Sequence, residues 1–391
     1  MGEEGVEQEG QGRVLWLTDT YGDHNGVSMV LQAMHREIKA RRLPIDIMVC
    51  SNTLKSDSNL IVLKPLSEFN IPLYRQQPMR IPNFISIQRI FRKGRYDRIL
   101  CSTEGPMGFA ALYLKKLYSV KTYFYLHTDW IMFAKQVMGM EEPGLKRLQR
   151  AMRVYYRQFD HIFVLNTEQQ DWLTGTSMRF DPVRIFKTAH WADEIFMNFE
   201  PGGSSSPSAE SGSVVLFTGR LSREKGVFEL PGIFRKAKDK IPGLRMRIVG
   251  HGPAEAELKT NFPEAEYIGW VEHDKLPEVY NSADLLILPS RFDTFSCVVL
   301  EAMSCGLPVI AYNTKGPRDI IRDSVNGFLV ETSDEMSDRI IEYFSDKCLQ
   351  TSFKKSALER ADDYSADTIL QRMLKDLDIN TANQLHGTTV A

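Results

Sequence analysis

Residues 291–309 read RFDTFSCVVLEAMSCGLPV and join two short apolar runs, Leu285–Leu288 and Pro308–Ala311. The runs have the length and composition of buried strands, and Ser296–Ser304 between them is predicted to form a helix. A strand, a helix and a second strand in this order form one unit of a parallel sheet. This stretch therefore predicts an α/β fold for this part of the chain.

The same alternation of strand and helix extends outward in both directions. Arg13–Thr18, Ile45–Cys50 and Arg98–Cys101 are predicted strands of the first half, and Val214–Phe217 and Arg245–Val249 of the second. Ligands of such sheets bind beyond the carboxyl ends of the strands. We therefore predict an α/β protein made of two Rossmann-like, doubly wound domains that face a cleft.

The domain boundaries follow from changes in composition. Residues 197–213 are rich in Gly, Ser and Pro and lack an apolar period, which predicts a linker. The expected order is a disordered tail (1–12), a first Rossmann-like domain (13–196), the linker (197–213), a second Rossmann-like domain (214–362), a C-terminal helix (363–378) and a disordered tail (379–391).

Bulk composition excludes several classes of protein. Hydrophobic residues make up 43% of the 391 residues, yet no apolar run approaches the roughly 20 residues of a membrane-spanning helix. The N-terminal residues MGEEGVEQEGQG lack the basic and apolar regions of a signal peptide, and the five cysteines form no CxxC pair. A cytoplasmic protein with reduced thiols is expected, with no zinc site.

Charge is unevenly distributed along the chain. Residues 13–200 contain 26 Lys and Arg against 18 Asp and Glu, whereas residues 201–391 contain 22 against 28. The basic first half suggests an anionic partner such as a membrane surface or a phosphorylated substrate, and a solvated basic face is the alternative. One predicted helix carries a basic stripe of the kind found on helices at membrane surfaces, formed by Lys146, Arg147, Arg150, Arg153 and Arg157. No nucleic-acid partner is expected.

Three segments carry residues suited to binding phosphate and sugar. Gly26 lies in the turn between the first strand and the helix that follows it, and a helix N-terminus can bind an anion. The alternative is that this glycine turn has only a structural role. Arg220 and Lys225 follow the strand Val214–Phe217, where they can bind a diphosphate or form an exposed basic loop. The segment 291–309 adds a pair of carboxylates, Asp293 and Glu301, and helix-start amides at Phe295, Ser296 and Cys297.

The segments Gly219–Gly226 and Asp293–Val309 together resemble the retaining glycosyltransferases of family 4, which have the two-domain GT-B fold. Their pattern is an acidic pair with seven residues between, followed by Ala-Met-x-x-Gly-x-Pro-Val. The resemblance covers about residues 13–375. It implies that the first domain (13–196) binds the acceptor, that the second (214–362) binds the nucleotide-sugar donor, and that the C-terminal helix (363–378) packs back on the first domain. The runs Asn25–Ser28, Ser102–Gly108 and His127–Asp129 are similar to the branch that includes bacterial diacylglycerol and sulfolipid glycosyltransferases.

The resemblance implies a role for each matching residue. His127 would contact the transferred sugar, Arg220 and Lys225 would hold the diphosphate, and Asp293 would bind sugar hydroxyls. These four are the expected catalytic residues. Glu301 would bind the ribose, and the remaining donor contacts would come from Gly26, Gly250, Gly252, Phe295, Ser296 and Cys297.

Three departures from the family pattern are present. Asp293 stands where a glutamate is usual, the first loop lacks a double glycine, and Ala189–Asp193 replaces the usual Asn-Gly-Val-Asp-like run. The last of these leaves the acceptor side undefined.

The implied reaction moves a sugar from a nucleotide diphosphate, by default UDP, to a membrane lipid or glycolipid by front-face substitution on the inner face of the membrane. No metal or other cofactor is expected, because the only Asp-x-Asp motif is Asp376–Asp378 in the last helix and His161, His251 and His273 lack ligand spacing. The alternatives are a transferase with a soluble acceptor, a phosphorylase or epimerase, and a non-catalytic protein that binds sugar nucleotides.

Overall fold

The computed structural model describes residues 12–22, 26–71, 74–136, 138–197 and 213–379. The chain divides into two compact units. The first unit contains the described residues up to Val164, the segment Gln170–Thr188 and the described residues from Leu370 onward. The second contains Leu165–Gln169 and Ala189–Ile369. The predicted tails and linker lie almost entirely outside the described residues.

The first unit is built on a parallel sheet in the order β3-β2-β1-β6-β7-β8-β9. An antiparallel hairpin, β4–β5, stands apart from that sheet. The strands are β1 (Val14–Leu17), β2 (Ile45–Cys50), β3 (Leu60–Leu63), β4 (Ser67–Ile71), β5 (Tyr74–Ile81), β6 (Arg98–Cys101), β7 (Lys121–Tyr125), β8 (His161–Val164) and β9 (Ile185–Lys187).

Helices follow β1, β5, β6, β7 and β8, whereas β2 to β5 succeed one another without a described helix between them. The helix α3 begins at a proline in its first turn and ends at a left-handed residue, Ser119, and both features are common at helix ends. The helices up to residue 188 are α1 (Gly26–Ala40), α2 (Phe84–Gly94), α3 (Pro106–Tyr118), α4 (Trp130–Gln136), α5 (Glu142–Tyr156) and α6 (Thr167–Thr174).

The second unit is built on another parallel sheet, in the order β12-β11-β10-β13-β14-β15. Its strands are β10 (Val214–Thr218), β11 (Arg245–Val249), β12 (Glu266–Gly269), β13 (Leu285–Leu288), β14 (Val309–Tyr312) and β15 (Gly327–Val330). The helices that follow residue 188 are α7 (Glu194–Met197), α8 (Leu230–Lys238), α9 (Glu255–Asn261), α10 (Leu276–Asn281), α11 (Cys297–Ser304), α12 (Lys315–Ile320), α13 (Ser333–Ser345), α14 (Lys347–Asp362) and α15 (Ala366–Asp376).

The central strands of both sheets are buried on both faces. Every residue of β1, β10 and β13 is buried, which explains why these segments are continuous apolar runs without alternation. The predicted α/β architecture with a parallel sheet in each half is confirmed. None of the described helices combines the length and the apolarity needed to cross a bilayer.

Candidate functional site

The carboxyl ends of β10 and β11 lie side by side in the second unit and approach each other closely. Gly219 and Gly250, one just past each strand, both have positive φ, at 146° and 126°. A side chain at Gly250 would collide with the carbonyl oxygen of Gly219. Gly252 is equally restricted, because its side chain would collide with the carbonyl of Leu221. The backbone is therefore closely packed at this edge, and only glycine fits at positions 250 and 252.

Lys225 and Asp293 form an ion pair at the same edge of the sheet. Lys225 ends a short 3-10 helix, Arg223–Lys225, after β10, and Asp293 lies in the loop between β13 and α11. Burial of the Asp293 carboxyl acts to raise its pKa, but the Lys225 ammonium, a hydrogen bond from Ser290 and the charge of Lys315 together hold the pKa below its ordinary value. Asp293 is therefore an ionised carboxylate at neutral pH.

Arg220 lies on the same loop as Lys225 but is more exposed to solvent. It follows Gly219 directly and its side chain is exposed to solvent. A guanidinium with several donors at an exposed strand end is suited to bind phosphate oxygens. The structure thus places both predicted diphosphate ligands on the one loop that leaves β10.

The start of α11 is shaped by an unusual backbone conformation. Ser296 precedes the helix with φ 72° and ψ 75°, in the left-handed region, and α11 begins one residue later than predicted, at Cys297. The first amides of any helix lack carbonyl partners within the helix and carry a partial positive charge. Phe295 is buried, and its ring centroid lies 4.8 Å from that of His190.

Cys297 also contacts His190, whose Nδ1 lies 3.7 Å from the cysteine sulfur. Burial raises the pKa of the Cys297 thiol, so the sulfur is uncharged at neutral pH. The contact between thiol and imidazole holds the segment around His190 against the start of α11.

Glu301 lies inside α11 and is held by one buried tyrosine. The hydroxyl of Tyr280, on α10, donates to Glu301 Oε2 at 2.8 Å. Burial raises the pKa of the Glu301 carboxyl, and the Tyr280 hydrogen bond offsets this only in part. A carboxylate that is costly to bury and has a second oxygen to offer is suited to bind vicinal hydroxyls.

The two remaining predicted residues belong to the first unit. Gly26 begins α1 and is exposed, with open space where a side chain would be. His127 follows β7 and is buried, with its ring centroid 4.1 Å from that of Tyr125. Burial lowers the pKa of His127 to about 3, so the imidazole is neutral at pH 7.

Sequence reasoning missed two carboxylates at the carboxyl edge of the first sheet. Asp19 follows β1, and burial raises its pKa to about 6. Glu104 follows β6, accepts a hydrogen bond from the Tyr156 hydroxyl at 2.7 Å, and has a raised pKa, again through burial. The available signal was their position, since each lies two or three residues beyond a buried strand of a parallel sheet.

The last helix, α15, ends at the first aspartate of the Asp-x-Asp motif, Asp376, so Asp378 lies beyond it, and Asp378 takes part in a structural contact. Asp378 pairs with Lys121 at 2.6 Å in the first unit, and the hydroxyl of Tyr123 donates to the same carboxylate at 3.3 Å. Among the described residues, no group of three or more His, Cys, Asp or Glu is arranged to hold a metal ion.

Two family models match this sequence. The model of glycosyl transferases group 1 matches residues 204–360, and the model of glycosyltransferase family 4 matches residues 24–188. Together they cover most of both units.

Individual proteins agree with these models. The GDP-mannose-dependent alpha-mannosyltransferase of Corynebacterium glutamicum is 26% identical over 78% of this chain and 72% of its own length. The sulfoquinovosyl transferase SQD2 of Arabidopsis thaliana is 27% identical over 68% of this chain, but the match spans only 53% of that protein. The crystal structure of Anabaena Alr3699/HepE in complex with UDP has a TM-score of 0.70 at 17% identity, covering 94% of this chain and 99% of that one.

Proposed function

Because this chain belongs to family 4 of the glycosyltransferases, we propose that it transfers a hexose from a UDP-linked donor to a lipid or glycolipid with retention of configuration and without a metal ion. The observation that carries the proposal is the Lys225–Asp293 ion pair at the carboxyl edge of the second sheet. It combines a cation for the diphosphate with a carboxylate for the sugar. Arg220, on the same loop, supplies the second cation.

The diphosphate would be bound by fixed charges instead of a metal. Lys225 and Arg220 neutralise the negative charge that grows on the leaving group as the sugar–phosphate bond breaks. The first amides of α11, at Cys297 and just before it, add partial positive charge at the same edge. Electrostatic stabilisation of this kind replaces the divalent ion used by other transferases.

The nucleoside would bind along the glycine-lined edge. Gly250 and Gly252 would lie beside the planar base, and the close approach of neighbouring carbonyls leaves no space for a side chain at either position. Glu301, oriented by Tyr280, would accept hydrogen bonds from the ribose hydroxyls. UDP is the donor nucleotide we propose, and the likeness to a UDP-bound structure supports the fold it requires.

Retention would follow from attack on the same face from which UDP leaves. The bond between the anomeric carbon and the β-phosphate oxygen breaks, the acceptor oxygen bonds to that carbon, and the acceptor proton passes to the departing phosphate. Asp293 is a poor nucleophile for a double displacement, because its pairing with Lys225 keeps its pKa low. The neutral imidazole of His127 is suited to an uncharged sugar hydroxyl, and its role rests on the family resemblance.

A thermal-shift panel tests the donor assignment. UDP-glucose, UDP-galactose, UDP-N-acetylglucosamine and GDP-mannose would each be added to the full chain, and release of nucleoside diphosphate would be measured in parallel. A donor at 100 times its dissociation constant stabilises the protein by about 2.7 kcal/mol. We expect a UDP-sugar to give the largest shift and to release UDP. A shift with GDP-mannose alone would contradict the assignment of UDP as the donor nucleotide. If no donor released its nucleoside diphosphate, the proposal that the chain is an enzyme would be wrong.

The exposed side chains of two helices, α5 and α3, support the proposal of a lipid acceptor. Lys146, Arg147 and Arg150 are exposed on α5, whereas Arg153 and Arg157 donate to the backbone carbonyls of Ser177, Met178 and Arg179. Arg157 is also exposed, but it donates to these carbonyls, so we propose that Lys146, Arg147 and Arg150 face an anionic surface. Val154 of α5 and Phe109 of α3 are also exposed, at 64% and 58%, and the Phe109 ring packs 5.9 Å from Tyr155. Cations beside exposed apolar side chains suit a bilayer surface.

Vesicle co-sedimentation tests this part separately. Each basic residue near an anionic surface contributes about 1 kcal/mol, so replacing Lys146, Arg147 and Arg150 together by Glu should abolish binding to vesicles containing phosphatidylglycerol. The control replaces three exposed lysines of α14, Lys347, Lys354 and Lys355, by Glu. Binding should also fall above about 0.3 M salt. A wild-type protein that ignores anionic vesicles at low salt would show that the membrane-surface part of the proposal is wrong, while the transferase assignment would stand.

A further inference from the structure

A buried lysine lies at the carboxyl edge of the second sheet and has no role in the function proposed above. Lys315 follows β14 by three residues, and β14 pairs with β13, the strand that precedes the Asp293 loop. Only 4% of Lys315 is exposed. Lysines are almost never buried to this extent, because the ammonium group loses its hydration there. The burial of Lys315 therefore has a cost that calls for an explanation.

The backbone at Lys315 adds a second cost. Its φ is 40°, in the left-handed region that glycine adopts easily and lysine does not. The next residue, Gly316, is packed so closely that a side chain there would collide with the backbone of Phe295, and its amide lies 3.5 Å from the carbonyl oxygen of Asp293. Packing against the segment 293–295 thus fixes this turn, and a glycine would suit position 315 better than lysine. The stability of the fold does not account for a lysine here.

The charge of Lys315 acts on Asp293. Burial acts to raise the pKa of the Asp293 carboxyl, and the charge of Lys315 is one of the causes that hold this pKa below its ordinary value, together with Lys225 and Ser290. The Lys315 ammonium also lies 5.7 Å from the ring centroid of Phe292, the residue before Asp293. A charge inside a protein is screened less than one in water, so Lys315 can act on a ligand without touching it.

A count of charges shows what Lys315 adds to the donor site. Lys225 and Asp293 neutralise each other as an ion pair, so on their own they offer the donor no net charge. The diphosphate of a sugar nucleotide carries one negative charge on each phosphate, and Arg220 can balance one of the two. The group formed by Lys225, Asp293 and Lys315, which we call the donor-site cluster, carries one net positive charge and can balance the other.

We propose that Lys315 is a positioning residue of the donor site, which gives the donor-site cluster its net positive charge and so frees Lys225 to donate to the diphosphate. The Lys315 ammonium stabilises the ionised Asp293 carboxylate, which stays available to the hydroxyls of the donor sugar. Lys315 acts on the donor through this cluster and makes no contact with it. The inference rests on the proposed function and adds a third cation to a donor site that uses no metal.

Calorimetric titration of the full chain with UMP, UDP and inorganic pyrophosphate tests the role of Lys315 without requiring turnover. Lys315→Met removes the charge and keeps the length of the side chain, whereas Lys315→Arg keeps the charge. We expect Lys315→Met to weaken binding of UDP and pyrophosphate by about tenfold, and binding of UMP, with its single phosphate, by less. Lys315→Arg should bind all three nearly as the wild type does. Equal losses for UMP and UDP in both variants would indicate a purely structural role and overturn the proposal.

A glycine variant separates the charge of Lys315 from its backbone conformation. Lys315→Gly suits the positive φ, so it should melt close to or above the wild-type temperature, yet it should lose UDP affinity as Lys315→Met does. Ser324→Gly is the matched control, because Ser324 is an exposed, uncharged residue of the same unit with a positive φ of 59°. This control should bind UDP as the wild type does. A folded Lys315→Gly variant that binds UDP as tightly as the wild type would overturn the proposal.

A compensating substitution tests whether Lys315 acts through Asp293. The double variant Lys315→Met/Asp293→Asn keeps Lys225 as the only charge of the donor-site cluster, so the net charge returns to its wild-type value. UDP has no sugar for Asp293 to bind, so the double variant should recover most of the UDP affinity that Lys315→Met loses. A double variant that binds UDP no better than Lys315→Met would show that Lys315 does not act through this cluster.

Failure of the transferase proposal has a different signature from failure of this inference. If Lys315→Met loses affinity for pyrophosphate but the wild type releases no nucleoside diphosphate from any donor, the role of Lys315 is supported in a site that does not transfer. If the wild type releases UDP but Lys315→Met binds UDP and pyrophosphate with wild-type affinity, the transferase is supported and the role of Lys315 is overturned. Binding of neither UDP nor pyrophosphate to the wild type would overturn both.

Discussion

Replacing Lys225 by methionine would leave the Asp293 carboxylate buried without its cation. The side chains of Lys225 and Asp293 are 27% and 12% exposed, so the pair is largely screened from water. Breaking a buried ion pair by removing one partner costs about 3–5 kcal/mol, and the partial exposure of Lys225 favours the lower value. For a domain of this size, about 3 kcal/mol corresponds to a fall of roughly 6–12 °C in melting temperature.

The pH dependence of this effect has a defined sign. In the wild type the pKa of Asp293 is held below its ordinary value, so its contribution to stability is present above about pH 4 and is lost as pH falls. Without Lys225, burial is opposed only by Ser290 and Lys315 among the groups that shift this pKa, so we expect the pKa to rise and the variant to lose stability as pH rises. The gap between Lys225→Met and wild type should therefore widen between about pH 4.5 and 7.5.

Thermal unfolding across this pH range, with and without UDP, is the assay. Lys240→Met, at an exposed lysine, is the matched control. The double variant Lys225→Met/Asp293→Asn removes both charges, so it should regain most of the stability but not the response to UDP. A single variant that melts within about 2 °C of the control at pH 7.5 would refute the buried-pair reasoning.

Three further predictions concern other groups. Arg220→Ala should lower turnover by about 10²-fold, which is the scale for loss of one charge-stabilising donor. The control Arg245→Ala, at the exposed amino end of β11, should leave turnover near normal. Equal turnover in the two variants would show that Arg220 is not part of the site. Turnover should survive excess EDTA, and a complete loss that Mg²⁺ or Mn²⁺ restores would contradict a diphosphate held by side chains alone. Burial raises the pKa of Asp19 to about 6, so the free energy of unfolding of the wild type should fall by about 3 kcal/mol relative to Asp19→Asn as pH rises from about 4 to 7. Chemical denaturation at both pH values measures this difference, and a difference that does not change with pH would contradict the prediction.

The sheets could be predicted because their strands are buried on both faces. Leu285–Leu288 is a continuous apolar run and Ile45–Cys50 is apolar except for Asp46, and the structure gives both segments the predicted bounds. The hairpin β4–β5 escaped prediction, since it stands apart from the main sheet and contains the polar run YRQQPMRI. The helix α2 was missed although its signal is present, with Asn83 as N-cap and apolar residues at helical spacing.

The individual residues of the site could be predicted from the sequence, but their contacts with one another could not. Lys225 and Asp293 lie 68 positions apart, so only the fold shows that one neutralises the other. The left-handed conformation of Ser296, which delays α11 by one residue, has no counterpart in the sequence pattern, because serine gives no indication of positive φ. From the sequence, Tyr280 likewise cannot be distinguished from an ordinary core residue, and only the structure shows that its hydroxyl donates to Glu301.

The central claim is retaining transfer from a UDP-linked sugar, and the anomeric configuration of the first product tests it most directly. The full chain would be incubated with UDP-α-glucose, water serving as the acceptor, and the anomeric protons of the released glucose would be followed by NMR before mutarotation. We predict that α-glucose appears first, in step with UDP. Initial formation of β-glucose would contradict front-face substitution and show that the enzyme inverts.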